Sequence, residues 1–376
     1  MPKLRLAAIT AIAAIVVTAC AAVGVGGPAP EPIEQTQSPA NDFLVATPQP
    51  IAAPAVAPEP LYAKLRVFVA SESTNSVFVI EGAPGKPFEL VGKIPVGSFP
   101  HQMGTSPDGK WIAVNNRMGD STSIIDPVAM KEIARVRVGR QPHGITWSPD
   151  AKTLFVGHER DTYIARIEAG TWKPMAPLIV GVPQHVLTIP NGHPNELWYT
   201  LTNTSQPEVL RVYDLATDKI TNVKVGDVHD AYFTPDESEV WSSSSGFLEK
   251  PSDRIVIYDP ATKAVKAEIH LGGHYPFHTM KPNQDGTFFM QDRSIMVISD
   301  HTGPGLMWID WKERHIVGET ILGRQPFHTT YDPEGGRLLT TTNVDGMVNV
   351  IDIKTRAVIQ KIPVPKAHGI GSVPIP

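Results

Sequence analysis

After residue 20 the chain shows no helical period. Its apolar positions come in short alternating runs, such as Leu65-Arg66-Val67-Phe68-Val69, broken by polar turns. From residue 62 onward one unit recurs. An apolar strand opens it, as in Trp111-Ile112-Ala113-Val114 or Thr153-Leu154-Phe155-Val156, and a polar loop follows. A second strand ends at an acidic turn: Ile125-Asp126-Pro127, Tyr213-Asp214-Leu215, Tyr258-Asp259-Pro260, Ile309-Asp310-Trp311 and Ile351-Asp352-Ile353. A third ends at Val-Gly, as in Val96-Gly97, Val138-Gly139 and Val180-Gly181. A histidine comes next, with a fourth strand that runs into Ser106-Pro107-Asp108-Gly109, Thr234-Pro235-Asp236-Glu237 or a variant, which is strong turn chemistry.

Four short strands in each 40 to 50 residues, seven times over, predict an all-β fold, a seven-bladed β-propeller of four-stranded blades over residues 62–376. The chain enters with three strands near Leu65 and leaves with one strand after His368. That last strand is expected to complete the first blade and remove the open edge.

Composition adds a compartment. Lys3 and Arg5 precede an apolar stretch from Leu6 to Val17, too short for a comfortable span, so residues 1–19 read as an export signal. Val17-Thr18-Ala19-Cys20 resembles a lipobox, and Cys20 is the chain's one cysteine, so lipidation of Cys20 is expected. Ala21 and Ala22 lack an aspartate sorting signal, which favours the outer membrane, facing the periplasm. Residues 20–61 are Pro/Ala-rich, with Pro48, Pro50, Pro54, Pro58 and Pro60 among them, and read as an extended tether. A net charge of −5 gives no basic field for nucleic acid.

The units VGRQPHGITWSPDAKTLFVGH and VGSFPHQMGTSPDGKWIAVNN resemble the YVTN family of propeller repeats. This resemblance covers nearly all of 62–376 and implies the fold; it says little about function, because propellers bind many things.

The candidate chemistry is histidine. Seven of the 13 fall at the same repeat position: His101, His143, His185, His229, His278, His328 and His368. Each begins the strand that lines a propeller's channel, so all seven are expected at one mouth. Copying of one repeat would also spread a histidine. Yet in Pro183-Gln184-His185-Val186, Asp227-Val228-His229-Asp230 and Pro276-Phe277-His278-Thr279 the surroundings have drifted and the histidine remains. Converging imidazoles point to transition metal, with copper first and several ions conceivable. Met103 and Met280, two residues after His101 and His278, are expected on the same strand face and are thioether candidates. Of the other histidines, His158 and His301 lie in loops expected to reach the mouth. His193, His270 and His315 read as solvated, and His274 is ambiguous.

A hub of seven histidines resembles the copper-cluster propeller domain of nitrous oxide reductase and the copper-containing thiocyanate dehydrogenases. That resemblance implies a copper-dependent oxidoreductase, if the chain is an enzyme, served by a periplasmic electron carrier. The chain lacks a second copper domain with cysteine ligands, so nitrous oxide reduction by it alone is not expected. The propellers of haem-containing nitrite reductases and their accessory lipoproteins are similar in repeat style and imply haem or another tetrapyrrole as the alternative. A third class is a non-enzymatic interaction module of the cell envelope, binding a protein, peptide or envelope polymer through polar loops. No serine nucleophile elbow, phosphate-binding glycine loop or His-Glu-Xaa-Xaa-His occurs. The substrate is open.

Overall fold

The computed structural model describes residues 62–202, 210–223, 228–243, 254–272, 276–279, 295–300, 305–332, 334 and 336–376, with only the backbone described at 276–279 and 295–300. The expected signal, Cys20 and the tether lie outside them.

The described residues form antiparallel four-stranded sheets, seven in number. Their first strands are Ala367–Ile375, Pro100–Thr105, Pro142–Trp147, Gln184–Thr188, Asp230–Phe233, Pro276–Thr279 and Pro326–Asp332. Six sheets are described with side chains on all four strands; the sheet that begins at Pro276 is described by backbone pairing on its first two. First strands of neighbouring sheets lie against one another, whereas the outer strands diverge toward solvent. That radial arrangement is a β-propeller of four-stranded blades. The last strand, Ala367–Ile375, pairs with Lys64–Ser71, so the end of the chain completes the sheet its beginning opens.

The core is divided into clusters between adjacent blades. Leu65, Val67 and Ile80 meet Leu339, Val348 and Val350; Ala113 and Ile124 meet Trp147, Leu154 and Val156. Because blades stack face on face, middle strands bury both faces, and Trp147, Trp198, Trp241 and Trp308 are fully buried. The Pro-Asp turns form as their chemistry dictates. Ser106 Oγ bonds Asp108 Oδ1 at 2.8 Å and accepts from Trp111 N at 2.9 Å, and Gly109 takes φ 69°. At the acidic turns Asp126 Oδ1 accepts from Val128 N and Ala129 N, and the residue four places on is left-handed: Met130, Asp218, Lys263, Arg314 and Arg356.

Two features of the first strands position the site. The residue just before several of them is left-handed without being glycine: Phe99 (φ 56°), Gln141 (φ 50°), Gln325 (φ 56°) and Lys366 (φ 48°). Then a β-bulge interrupts the ladder, between Pro100 and Met103, Pro142 and Ile145, Gln184 and Leu187, Pro276 and His278, and Pro326 and Thr329. The same irregularity lies between Val69 and Ser71, opposite His368. A bulge sets two residues against one and re-aims the side chain it carries. Beside these irregularities the rings of His101, His143, His185 and His368 come together.

Candidate functional site: an imidazole hub

Six of the seven histidines come together. Ring centroids run His328–His368 at 4.9 Å, His368–His101 at 3.6 Å, His101–His143 at 4.8 Å, His143–His185 at 3.9 Å and His185–His229 at 4.3 Å. Five of these residues are buried and His328 is half-buried. The strand of His278 is described but its side chain is not, and Met280, His274 and His301 lie outside the described residues.

The histidine backbone is fixed from the preceding blade. Asn115 Nδ2 donates to His143 O at 2.9 Å, Thr200 Oγ1 to His229 O at 2.8 Å and Thr341 Oγ1 to His368 O at 2.7 Å. These donors occupy one place near the end of each second strand. Gly144, just after His143, lets the next blade approach, because a Cβ there would stand 2.5 Å from His185 O. Gly144→Ala is therefore expected to cost about 1–3 kcal/mol by overpacking, read as a lower denaturant midpoint. An unchanged midpoint would mean that the blades part there freely.

Three expectations need correction. Met103 does not share a face with His101, because the bulge between Pro100 and Met103 breaks the two-residue alternation. It packs instead against the cluster of Phe68, Val77 and Ile112. His158 is not a mouth residue. It is buried in Thr153–His158, with Nε2 accepting from Gly139 N at 2.8 Å and Nδ1 donating to Tyr163 O at 2.9 Å. Both ring nitrogens are thus engaged in holding a loop. His328 is not at the common repeat position. Pro326 pairs with Thr342 as Pro100 pairs with Asn116, so Phe327 stands where His101 does. The His328 amide donates to Thr341 Oγ1 just as the Val186 amide, one place after His185, donates to Thr200 Oγ1. Phe327 accordingly lies tilted against His368, with ring centroids 4.3 Å apart. His193, His270 and His315 are exposed.

The structure adds a rim that histidine counting missed. Where it is described, the residue following the second strand donates its amide to the residue before the blade's own bulge. Glu72 N bonds Lys366 O, Arg117 N bonds Phe99 O, Glu159 N bonds Gln141 O and Asn343 N bonds Gln325 O. Glu72 Oε1 meets His101 Nδ1 at 2.6 Å and lies 4.0 Å from His368 Nε2. Glu159 Oε1 lies 4.0 Å from His143 Nε2 and 3.7 Å from His185 Nε2, while its Oε2 accepts from Arg117 Nε at 2.7 Å. Asp230 bonds His229 Nδ1. Alignment of the repeats on their second-strand ends was the signal for Glu72 and Glu159.

Burial sets the protonation. Desolvation, then the neighbouring imidazoles of His368 and His143, holds His101 well below the ordinary histidine range. Desolvation pushes His143 down to about 4, against the opposing pull of Glu159. Burial raises the Glu72 carboxyl, opposed by its bond from Asn343. His143 Nδ1 faces His185 O at 3.0 Å, and a carbonyl only accepts, so that nitrogen carries the proton. Its Nε2 then carries the lone pair and lies 4.0 Å from Glu159 Oε1. Such a tautomer, fixed by a backbone carbonyl, is the form in which imidazole ligates metal. Among the described residues, three donor groups have their ligand atoms within 4.8 Å of one another: Glu72, His101 and His368; His143, Glu159 and His185; and His185, His229 and Asp230.

The fold and the hub define a propeller with a buried imidazole centre. The chain belongs to the YNCE-like β-propeller family, whose model matches residues 43–373. Among solved structures it is similar to Kuenenia stuttgartiensis hydrazine synthase, with a TM-score of 0.64 and 20% identity over 76% of this chain and 91% of that one. It is also similar to the dihydro-haem d1 dehydrogenase NirN in complex with DHE, with a TM-score of 0.58 and 16% identity over 79% of this chain and 63% of that one. At these identities the likeness is one of fold. No match is found among curated proteins.

Proposed function

We propose that the chain is an exported propeller whose hub binds transition metal, divalent copper first, for redox chemistry or metal handling. On this reading all the four-stranded sheets, the one beginning at Pro276 included, are blades of one seven-bladed ring, and the lipid on Cys20 tethers it to the outer membrane facing the periplasm. A soluble electron carrier of that compartment would serve a redox role. The observation that carries the reading is the unbroken run of six imidazoles with carboxylate oxygens among them. Nitrogen with oxygen suits divalent copper or zinc, and copper binds such donors most tightly. The displacement of Met103 removes its thioether as an argument for monovalent copper.

The second reading is a tetrapyrrole, favoured by the likeness to NirN, which was solved with DHE. Rings already packed at 3.6 and 3.9 Å leave no gap between them for a macrocycle.

The test is expression of the full chain with its leader, copper, zinc and iron supplied, followed by elemental analysis. At least one copper per chain is expected, with its loss in the His143→Ala/His185→Ala variant. A visible band with extractable tetrapyrrole would shift the reading to haem. A folded protein carrying neither would leave an interaction module.

A further inference from the structure

The hub contains one pocket twice. Glu72 and Glu159 occupy the same place in the repeat, the residue after the second strand, two blades apart. Each sits between its own blade's histidine and that of the next blade. For Glu72 these are His368 and His101; for Glu159 they are His143 and His185. In both, Oε1 faces the imidazoles. In both, Oε2 is held by the equivalent residue of the preceding blade: Asn343 Nδ2 at 2.9 Å for Glu72, and Arg117 Nε at 2.7 Å for Glu159. The blade between them carries Arg117 at that place, so no third carboxylate of this kind interrupts the pair.

We propose that the hub holds two separate divalent ions, one in each His–His–carboxylate pocket, rather than a single cluster ligated by imidazole alone. This rests on the metal-binding reading above. Two imidazoles and one carboxylate are the donor set of open divalent sites, which keep positions for water or substrate. The held Oε2 is the outer support that ligating carboxylates require. Two ligands of a tetrahedral ion, each about 2.0–2.1 Å from it, stand roughly 3.3 Å apart. The Glu159 pocket, at 3.7 and 4.0 Å, is already spread to that scale. In the Glu72 pocket His101 Nδ1 is hydrogen-bonded directly to the carboxylate at 2.6 Å, so an ion there must replace a proton and open the contact. The Glu159 pocket therefore fills first. Asp230 belongs to neither pocket. It lies on a first strand, fully buried and bonded to His229 Nδ1, and orients that ring.

The test strips the full chain with chelator and titrates it with Co²⁺, following visible absorption and bound cobalt per chain. Two equivalents are expected, the first tighter. Glu159→Gln should remove the first and leave the second; Glu72→Gln should do the reverse. Arg117→Gln, which keeps every ligand, should weaken only the first ion, by about 10–100-fold, with the thermal midpoint of the stripped protein reported beside each variant. One equivalent, three or more, or a titration unmoved by both carboxylate changes in folded protein would overturn the two-pocket assignment while leaving metal binding intact. No cobalt bound at any ratio would instead overturn the metal reading itself.

Discussion

Arg337→Ala is expected to lower folding stability by about 3–5 kcal/mol, the cost of leaving a buried charge without its partner. Arg337 and Asp332 have side-chain exposures of 5% and 0%. The Arg337 Nε donates to Asp332 Oδ2 at 2.7 Å, its other nitrogens donate to Lys86 O and Ala83 O, and the guanidinium lies 4.2 Å from the Phe88 ring centroid. Tyr62 OH donates to the other Asp332 oxygen. These contacts join the last full blade to the loop and entry segment of the blade that the C-terminal strand completes. Loss of Arg337 therefore strips a charge partner and unfastens the ring at its closure together. The measurement is a guanidinium denaturation midpoint. Arg337→Met with Asp332→Asn removes both charges and should recover most of the loss, as replaced buried pairs commonly do. A drop below about 1 kcal/mol for the single change would mean that strand pairing alone closes the ring.

Acid is expected to weaken the metal-free protein steeply between pH 6.5 and 4. His143 is held at about 4 in the fold against an ordinary 6.5. Above pH 6.5 both folded and unfolded forms are neutral and the histidine contributes nothing to the pH dependence. As pH falls below 6.5 the unfolded chain takes the proton first, so folding loses ground until the folded pKa is reached. The shift converts to roughly 3 kcal/mol from His143 alone, and His101, also depressed, adds to it with the same sign. Denaturation midpoints at pH 7.5 and pH 4 should therefore differ, and His143→Gln should reduce the difference. Equal midpoints for wild type and variant would show that the hub already admits the proton.

Much of the fold was legible because its signals are local. Ser106-Pro107-Asp108-Gly109 is a turn by composition alone, and the strand after His368 had to go somewhere. Less legible were positions where backbone shape departs from residue preference. Nothing in Met130, Lys263 or Arg356 announces a left-handed conformation; the aspartate four places earlier imposes it by capturing two amides. The hub was legible as a place and misread in detail for the same kind of reason. Counting from His101 to Met103 assumes an unbroken strand, and the bulge between them voids the assumption. Counting histidines in Pro-His and Pro-Phe-His as equivalent hides the one-residue slip that puts Phe327 beside His368. Glu72 was hidden because it is separated in sequence from the imidazoles it meets; Glu159 lies in a loop that the repeat places at the mouth, but only the register of the second strand aligns it with Glu72.

The bulges that aim these side chains also insulate them. Downstream of each bulge the ladder resumes in phase with the blade's apolar clusters, so whatever stands at the bulge itself is excused from the packing code of the sheet. A blade can exchange histidine for phenylalanine there, or slide its histidine by one residue, and bury the same core. This chain thus has a socket at each bulged blade whose contents can be rewritten one at a time while the scaffold stays unchanged.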